Sequence, residues 1–169
     1  MKKLTPSDFV ATYLPFARQT EEKTGINARF ILAQAALESG WGNAAPGNMF
    51  FGVKANPETT PETQRQLLTT KEVLSHANAT FPKTISVTSL STGKYLYVVK
   101  DWFRKYESPE ESFTDHARLF VTAKRYAKAM EKKVDPYAFA EEVAKAGYAT
   151  APDYARILKS VIRTIDKYL

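Results

Sequence analysis

One carboxylate, Glu38, stands at the end of an apolar stretch and directly before a turn rich in glycine and tryptophan. The surrounding segment, residues 30–54, reads FILAQAALESGWGNAAPGNMFFGVK. Apolar surroundings raise the pKa of a carboxyl group, and the C-terminal end of a helix dipole disfavours an anion. Both effects keep the acid protonated, as protonation of a glycosidic oxygen requires. This pattern therefore predicts general acid catalysis of glycan cleavage by Glu38.

The competing interpretation of Glu38 is an ordinary exposed side chain near a helix end. The flanking Ser39-Gly40-Trp41-Gly42 turn disfavours it, because such a turn can border a cleft. Gln34 lies one turn earlier on the same helical face, so we expect it to support the acid.

The elements around Glu38 are predicted to be helical. Asn27 is a good N-cap for a helix that ends at Gly40, and the apolar residues between them predict a central, buried helix. An earlier helix begins after Thr5, and Pro15 is expected to break or kink it. Further helices are predicted from Ser108-Pro109, from Asp135-Pro136 and from residues 150–153 onward.

A stretch of different character separates these helices. Residues 66–74 and 94–106 are rich in β-branched and aromatic side chains and are predicted to form strands. Residues 75–93 are polar and rich in Thr and Ser, and we expect a long hairpin connection there. The order is therefore helices, a small β excursion, then helices.

Bulk properties narrow the class of protein. The 169 residues suggest one domain. The chain has no cysteine, which excludes disulfides and thiolate metal sites. The net charge of +6 favours attraction to a polyanion, whether nucleic acid, anionic lipid or an anionic cell wall. Because the basic residues are scattered, charge alone does not favour nucleic acid.

Other chemistries lack their motifs. His76 and His116 are the only histidines, and their spacing suits neither a metal site nor a serine triad. No phosphate-binding loop or nucleic-acid motif is present. No apolar stretch is long enough to span a bilayer, and the N-terminus has no apolar core of a signal peptide. The chain is expected to be mature as written, cut from something larger, a phage lysin, or released by another route.

Two segments carry a specific resemblance. ALESGWG over residues 36–42, followed by NMFFGVK over 48–54, is similar to the family 73 glycoside hydrolases, and weaker matches lie at 103–106 and 146–155. These enzymes are peptidoglycan β-N-acetylglucosaminidases, which include the catalytic domain of the flagellar peptidoglycan hydrolase.

The resemblance implies a mainly helical α+β, lysozyme-like fold. A single domain would fill residues 1–169, with a small antiparallel β-lobe at about 50–107. It also implies a monomeric endo-enzyme without cofactor or metal. Such an enzyme would cleave the bond from N-acetylglucosamine to N-acetylmuramic acid in peptidoglycan, in the periplasm or outside the cell.

The resemblance also assigns catalytic residues. Glu38 matches the general acid, and Glu72, on the first predicted strand, is the best match to a second family carboxylate. A long insertion after that strand departs from the family pattern, so Glu58 and Glu62 are held in reserve. Tyr148 matches an active-site tyrosine within Gly-Tyr-Ala-Thr.

Five further residues are candidates for substrate binding. They are Asn48, Phe51, Lys54, Trp41 and Tyr154. For Asn48 the alternatives are a hydrogen bond to a sugar and a brace for its loop. The aromatic residues could stack on sugars or simply pack in the core.

Two alternative functions remain open at this stage. One is a lytic transglycosylase or a muramidase on the same fold. The other is a wall-binding module without activity. The sequence also leaves open whether cleavage is retaining, inverting or assisted by the substrate's N-acetyl group.

Overall fold

The computed structural model describes residues 2–169, which fall into two compact units. The helical unit consists of Met1–Phe51 and Tyr106–Leu169, and the β unit consists of Gly52–Lys105. The β unit is therefore inserted into the sequence of the helical unit, in the order that the sequence predicts. No helix among the described residues is long and apolar enough to cross a membrane.

The helical unit contains six α-helices within the described residues. They are α1 (Pro6–Thr24), α2 (Ala28–Ser39), α3 (Pro109–Thr122), α4 (Ala127–Met130), α5 (Pro136–Lys145) and α6 (Tyr154–Asp166). Short 3-10 turns lie at Pro46–Asn48 and Lys124–Tyr126. The helix starts predicted from capping residues are confirmed for α1, α2, α3 and α5.

A break at Pro15 is excluded, because α1 runs through that residue without interruption, whereas the alternative of a kink stays a prediction. A proline inside a helix leaves the carbonyl one turn earlier without its hydrogen bond. That carbonyl belongs to Ala11, and both Ala11 and Pro15 are exposed. Water can therefore hydrate the carbonyl, while the capping box between Thr5 and Asp8 and the Gly25 cap hold the two ends of α1.

Helix α2 is the centre of the helical unit, as predicted. It packs against α1, α3, α5 and α6, and nine of its twelve residues are buried. Rings from other helices close around it: Phe30 meets Phe139 edge-on at 4.5 Å between centroids and Phe120 at 5.7 Å. A helix buried on nearly every side can present functional groups only near its ends.

The β unit is a three-stranded antiparallel sheet in the order β1-β3-β2. The strands are β1 (Arg65–Leu74), β2 (Lys83–Ser89) and β3 (Tyr95–Arg104), and a 3-10 turn at Glu62–Gln64 precedes β1. Strands β1 and β3 confirm the two predicted strands to within two residues. Along β1 exposed and half-buried residues alternate, so one face of the strand is more covered than the other.

The predicted long connection over residues 75–93 is wrong, since it contains strand β2. Every residue of β2 is exposed, so no alternation of buried and exposed positions marks the strand. Its Thr, Ile and Val residues favour extended backbone, and its pairing with β3 alone leaves it at the edge of the sheet. The loop interpretation followed the polar composition, which an exposed edge strand shares with a loop.

We predict that Gly42→Ala destabilises the helical unit more than Gly93→Ala destabilises the β unit. Both glycines have φ of +81°, so each alanine incurs the left-handed backbone cost of ~1–2 kcal/mol. A Cβ at Gly42 would also lie 3.0 Å from the Tyr13 ring and 3.1 Å from the Phe9 ring, whereas nothing lies within 4 Å of one at Gly93. The added crowding should cost a further ~1–3 kcal/mol.

Chemical denaturation of the two variants checks this prediction. Equal losses in the free energy of unfolding would show that the rings around Gly42 move aside without cost.

Candidate active site

Glu38 lies in the last turn of α2, where the buried helix emerges. Its neighbours Ala36 and Ser39 are buried, whereas Glu38 itself is exposed. The protein around the side chain still removes enough water to raise the pKa of the Glu38 carboxyl above its usual value. Within residues 2–169 this carboxyl has no hydrogen-bond or ion-pair partner. It is therefore an acid with a raised pKa that is free to meet a ligand.

The turn after Glu38 is held by hydrogen bonds back to α2. The Trp41 N–H donates to the Ala36 carbonyl at 2.8 Å, the Ala44 N–H donates to the Ser39 carbonyl at 2.9 Å, and the Gly42 N–H donates to the Ser39 hydroxyl oxygen at 2.9 Å. Trp41 has φ of +58°, a left-handed conformation that is uncommon for a bulky residue. Its half-buried ring meets Phe9 edge-on at 5.6 Å. The tryptophan therefore anchors the turn by packing.

Tyr148 follows the end of α5 in a Schellman motif. The Gly147 N–H donates to the Ala144 carbonyl at 3.0 Å, and the Tyr148 N–H donates to the Val143 carbonyl at 3.3 Å. Gly147 has φ of +85°, which glycine adopts without the penalty that a Cβ would bring. The Gly147-Tyr148 pair of the sequence motif thus forms the helix cap that sets the backbone position of Tyr148.

Four polar side chains form one hydrogen-bonded chain beneath Glu38. Gln34 is buried one turn before Glu38, and its amide nitrogen donates to the Tyr154 hydroxyl oxygen at 3.0 Å. The Gln34 amide oxygen lies 3.1 Å from Nε2 of His116. The same Nε2 lies 3.2 Å from the Tyr148 hydroxyl. The Gln34 amide therefore links Tyr154 to His116, and through His116 to Tyr148, whereas no hydrogen bond joins Gln34 to Glu38. The supporting role of Gln34 toward the acid stays a prediction.

His116 is neutral in this environment. Its ring stacks on Phe51 with centroids 3.7 Å apart and planes within 10°. Burial lowers the pKa of His116 to about 4, against the smaller opposing effect of the Asp115 charge. The Gln34 oxygen near Nε2 finds a donor in the tautomer that carries the single proton of the neutral ring on that nitrogen. In that tautomer the one N–H is shared between the Gln34 oxygen and the Tyr148 hydroxyl, which accepts and keeps its own hydrogen for another partner.

His116 was not predicted as a site residue, because its spacing suits neither a metal site nor a serine triad. One signal could have found it: His116 lies three residues after Phe113 and four before Phe120 on α3, a helical spacing that places it on the same face as these two apolar rings. A polar residue on such a stripe needs a buried hydrogen-bond partner.

Both tyrosines resist ionisation. Burial, above all, raises the pKa of Tyr154 to about 12, and it raises that of Tyr148 further. The Glu38 charge contributes to both shifts, which shows that the acid and the two phenols lie within electrostatic range of one another. The two phenol rings lie 5.4 Å apart. Tyr148 and Tyr154 are therefore neutral hydroxyls beside the acid.

Asn48 and Phe51 make their contacts with protein. The Asn48 amide nitrogen donates to the Tyr106 carbonyl at 3.1 Å, and the Tyr106 N–H donates to the Gly47 carbonyl at 2.9 Å. Of the two alternatives for Asn48, this contact supports the brace. Phe51 is buried against His116. Tyr154 is buried as well, with its hydroxyl bonded to Gln34.

In the β unit, Lys54 joins two carboxylates. Its ammonium lies 2.7 Å from Glu72 and 2.6 Å from Asp101, and 4.6 Å above the Phe103 ring. Burial alone would lower the pKa of Lys54, but the hydrogen bonds and charges of Asp101 and Glu72 raise it overall. Lys54 is therefore a cation with one N–H donor left. Asp101 was not predicted, because the pairing of β1 with β3 that brings it near Glu72 is not visible in the sequence.

The reserve carboxylates have fewer contacts. Glu58 and Glu62 are both exposed, in the segment that leads into β1, and neither carboxylate has a partner within residues 2–169. No cluster of three or more metal-ligating side chains occurs in the part of the chain that the structure describes.

Comparison with known proteins identifies relatives along nearly the whole chain. Residues 14–167 match the glucosaminidase family, described as mannosyl-glycoprotein endo-beta-N-acetylglucosaminidase. The chain is 32% identical over 168 residues to peptidoglycan hydrolase FlgJ of Pseudomonas aeruginosa, covering 95% of this chain and 37% of that protein. It is 32% identical over 165 residues to exo-glucosaminidase LytG of Bacillus subtilis, covering 94% of this chain and 51% of that protein.

A solved structure is similar over the same range. It is a C-terminally truncated glycoside hydrolase domain from Salmonella typhimurium FlgJ, which is 33% identical with a TM-score of 0.71, covering 96% of this chain and 99% of that one. The similarity confirms the predicted lysozyme-like, mainly helical α+β fold. The chain spans only about a third to a half of the length of the curated relatives given above.

We predict that His116 makes stability depend on pH below neutrality. Because its pKa falls from 6.5 to about 4 on folding, the unfolded chain binds more protons between these values. The stabilisation is therefore complete above pH ~6.5 and is lost as pH falls towards 4, by up to ~3 kcal/mol. Denaturation of the parent chain and of His116→Gln across this range measures the effect.

The variant should show a flatter pH dependence than the parent chain. His76→Gln, at an exposed histidine, is the matched control and should keep the parent's slope. Equal slopes for His116→Gln and the parent chain would contradict a neutral His116.

Proposed function

This chain belongs to the glucosaminidase family of glycoside hydrolases, and we propose that it hydrolyses the glycan strands of peptidoglycan. The bond cleaved would be the one from N-acetylglucosamine to N-acetylmuramic acid. Support comes from the relatives, of which one is named a peptidoglycan hydrolase and another an exo-glucosaminidase. One observation carries the chemistry: Glu38 is an unpaired carboxyl with a raised pKa at the open end of a buried helix.

In the proposed mechanism Glu38 is the general acid. Its carboxyl donates a proton to the glycosidic oxygen as the bond from the anomeric carbon to that oxygen breaks, and the bonding electrons stay with the oxygen. Water then supplies a hydroxyl group to the anomeric carbon, and its released proton restores the carboxyl. The position of Glu38 in the last helical turn assists reprotonation, because the negative end of the helix dipole disfavours the carboxylate anion.

Tyr148 is proposed to orient the reacting groups beside Glu38. Since His116 Nε2 carries a proton, the Tyr148 hydroxyl accepts that hydrogen bond and keeps its own hydrogen for a ligand. A donor at this point can bind the substrate's acetamido carbonyl or hold a water. Gln34 and Tyr154 fix the histidine from behind. His116 is thus a positioning residue that acts through Tyr148.

Glu72 is proposed as the second carboxylate, with Asp101 beside it. An anionic carboxylate could stabilise the positive charge that develops on the sugar ring, or activate a water. The pairing with Lys54 supports an anionic Glu72 and fixes its side chain. Lys54 has an N–H left with which to contact a sugar oxygen.

Several finer features belong to the same proposal. The family description favours cleavage within the glycan strand, whereas the LytG relative is named for exo-cleavage. Trp41 is proposed to support the Glu38 turn. The enzyme is proposed to act at the bacterial cell wall, outside the cytoplasm, and as a monomer.

We predict that Glu38→Gln folds normally and loses at least ~100-fold in activity on purified peptidoglycan, since glutamine cannot give up a proton. Products are identified by mass and by the new reducing end. Glu58→Gln and Glu62→Gln remove carboxylates of the same type and should leave the rate within ~2-fold.

Two outcomes would decide against this assignment. Substantial turnover by folded Glu38→Gln would remove the residue from its role. Products ending in anhydro-N-acetylmuramic acid, or in reducing N-acetylmuramic acid, would indicate a lytic transglycosylase or a muramidase instead.

We predict that Glu72→Gln lowers kcat more than Asp101→Asn does. Each change removes one of the two carboxylates that bind Lys54, so both variants lose one ion pair. Only the loss of the proposed catalytic carboxylate, Glu72, should lower kcat by a further ~100-fold. Steady-state rates on peptidoglycan and thermal unfolding of both variants make the comparison. A larger loss for Asp101→Asn would transfer the role to Asp101.

A further inference from the structure

The charged residues of the sheet are sorted by sign onto its two faces. The strands carry five cations and two acids. The cations are Arg65, Lys71, Lys83, Lys100 and Arg104. All five lie on one face, and both acids, Glu72 and Asp101, lie on the other.

The strand register establishes this sorting. Lys100 and Arg104 are four residues apart on β3 and so point to the same side. Lys83 lies directly opposite Lys100, and Arg65 lies directly opposite Arg104, so both share that side. Lys71 lies opposite the residue two positions before Lys100, which adds it to the same face.

Charged residues that are adjacent in sequence lie on opposite faces of the sheet. Lys71 precedes Glu72 and Lys100 precedes Asp101, yet the pleat sends each pair to opposite faces. The acids on one face are bound by Lys54. The lysines on the other face have no acid within the strands to bind. We call Lys71, Lys83 and Lys100 the lysine face.

The lysine face is accessible and carries unneutralised charge. Lys71 and Lys83 are exposed and Lys100 is half-buried, and none of the three has an ion-pair partner within residues 2–169. Like charges directly opposite one another destabilise a sheet, and Lys83 opposite Lys100 is such a pair. Repulsion between these lysines lowers the stability of the sheet, and no acid of the protein offsets it. A bound anion from outside the protein would offset it.

The wider charge distribution points to the same region. Gly52–Lys105 contains eight of the chain's lysines and arginines but only four of its acids. This third of the chain therefore supplies four of its six net positive charges. The lysines and arginines are scattered along the chain, but acids are sparse in the β unit, and most of the net positive charge therefore lies there.

We propose that the lysine face binds carboxylates of the peptidoglycan stem peptides, as a contact with the polymer additional to the one at Glu38. This inference rests on the proposed function, which makes peptidoglycan the polymer at hand. Strands are ~4.8 Å apart, so three lysines on three strands cover ~10 Å, a width that suits a short peptide. Lysine ammoniums act as point charges without the planar geometry of arginine, so they accept carboxylates on a flexible chain in many orientations.

The test measures binding apart from hydrolysis. In a Glu38→Gln background, Lys71, Lys83 and Lys100 are all changed to Gln, and sedimentation with insoluble peptidoglycan gives the affinity at low salt. We expect a loss of roughly 10-fold, as three exposed ion pairs would give. The control changes Lys124, Lys128 and Lys132, which are exposed in the helical unit, to Gln. It removes the same net charge, so it measures the loss of nonspecific attraction alone, which we expect to be less than ~2-fold.

Chemical treatment of the wall identifies the anion. Peptidoglycan whose carboxylates are converted to neutral amides should bind the parent and the triple variant equally weakly. Wall freed of phosphate polymers should bind as untreated wall does. Binding that is lost with the phosphate polymers, or duplex DNA that binds the lysine face at least ~10-fold more tightly, would overturn the proposal, as would equal losses for the two triple variants.

Failure of this proposal is distinguishable from failure of the proposed function. With Glu38 intact, the triple variant should hydrolyse amidated peptidoglycan within ~2-fold of the parent rate. A chain that hydrolyses peptidoglycan but binds it equally well without the three lysines would refute the lysine face alone. A chain that binds through these lysines but never cleaves the glycan would refute the hydrolase alone.

Discussion

The burial of α2 is the constraint on which the site depends. A helix surrounded by α1, α3, α5 and α6 is apolar over most of its surface, and its ionisable residues, Arg29 and Glu38, lie only in its first and last turns. Its open end is the place where a carboxylate can meet solvent while protein still removes part of its water. Glu38 occupies that end, and the raised pKa follows from its place on the helix rather than from any particular charged neighbour.

The same burial explains the polar chain beneath the acid. Gln34 is the one polar side chain inside the central part of α2, and a buried amide needs partners for both its nitrogen and its oxygen. Tyr154 satisfies the nitrogen and His116 satisfies the oxygen. A charged imidazole would face burial among aromatic rings, so the histidine is neutral, and in the tautomer protonated at Nε2 the Tyr148 hydroxyl is an acceptor of that proton. Packing thereby determines which way a hydroxyl near the acid can donate.

Features with a local cause could be predicted from the sequence, and features set by tertiary pairing could not. The caps of α2 and the apolar run between them predicted the central helix and the position of Glu38. Strand β2 escaped prediction because an edge strand exposed at every position has no burial pattern. His116 and Asp101 were missed for a related reason, since each acquires its partner from an element distant in sequence.

The alternation of the sheet shows how one short segment can carry two opposite electrostatic tasks. If Lys71 and Lys100 shared a face with Glu72 and Asp101, four neighbouring charges would pair and neutralise one another. Because successive side chains point to opposite faces, the acids share a single cation, Lys54, and keep one net negative charge. A slip of one residue in the pairing of β1 with β3 would move Lys71 and Glu72 each to the other face, and mix the signs. The register of β1 with β3 is therefore an electrostatic constraint as well as a packing one.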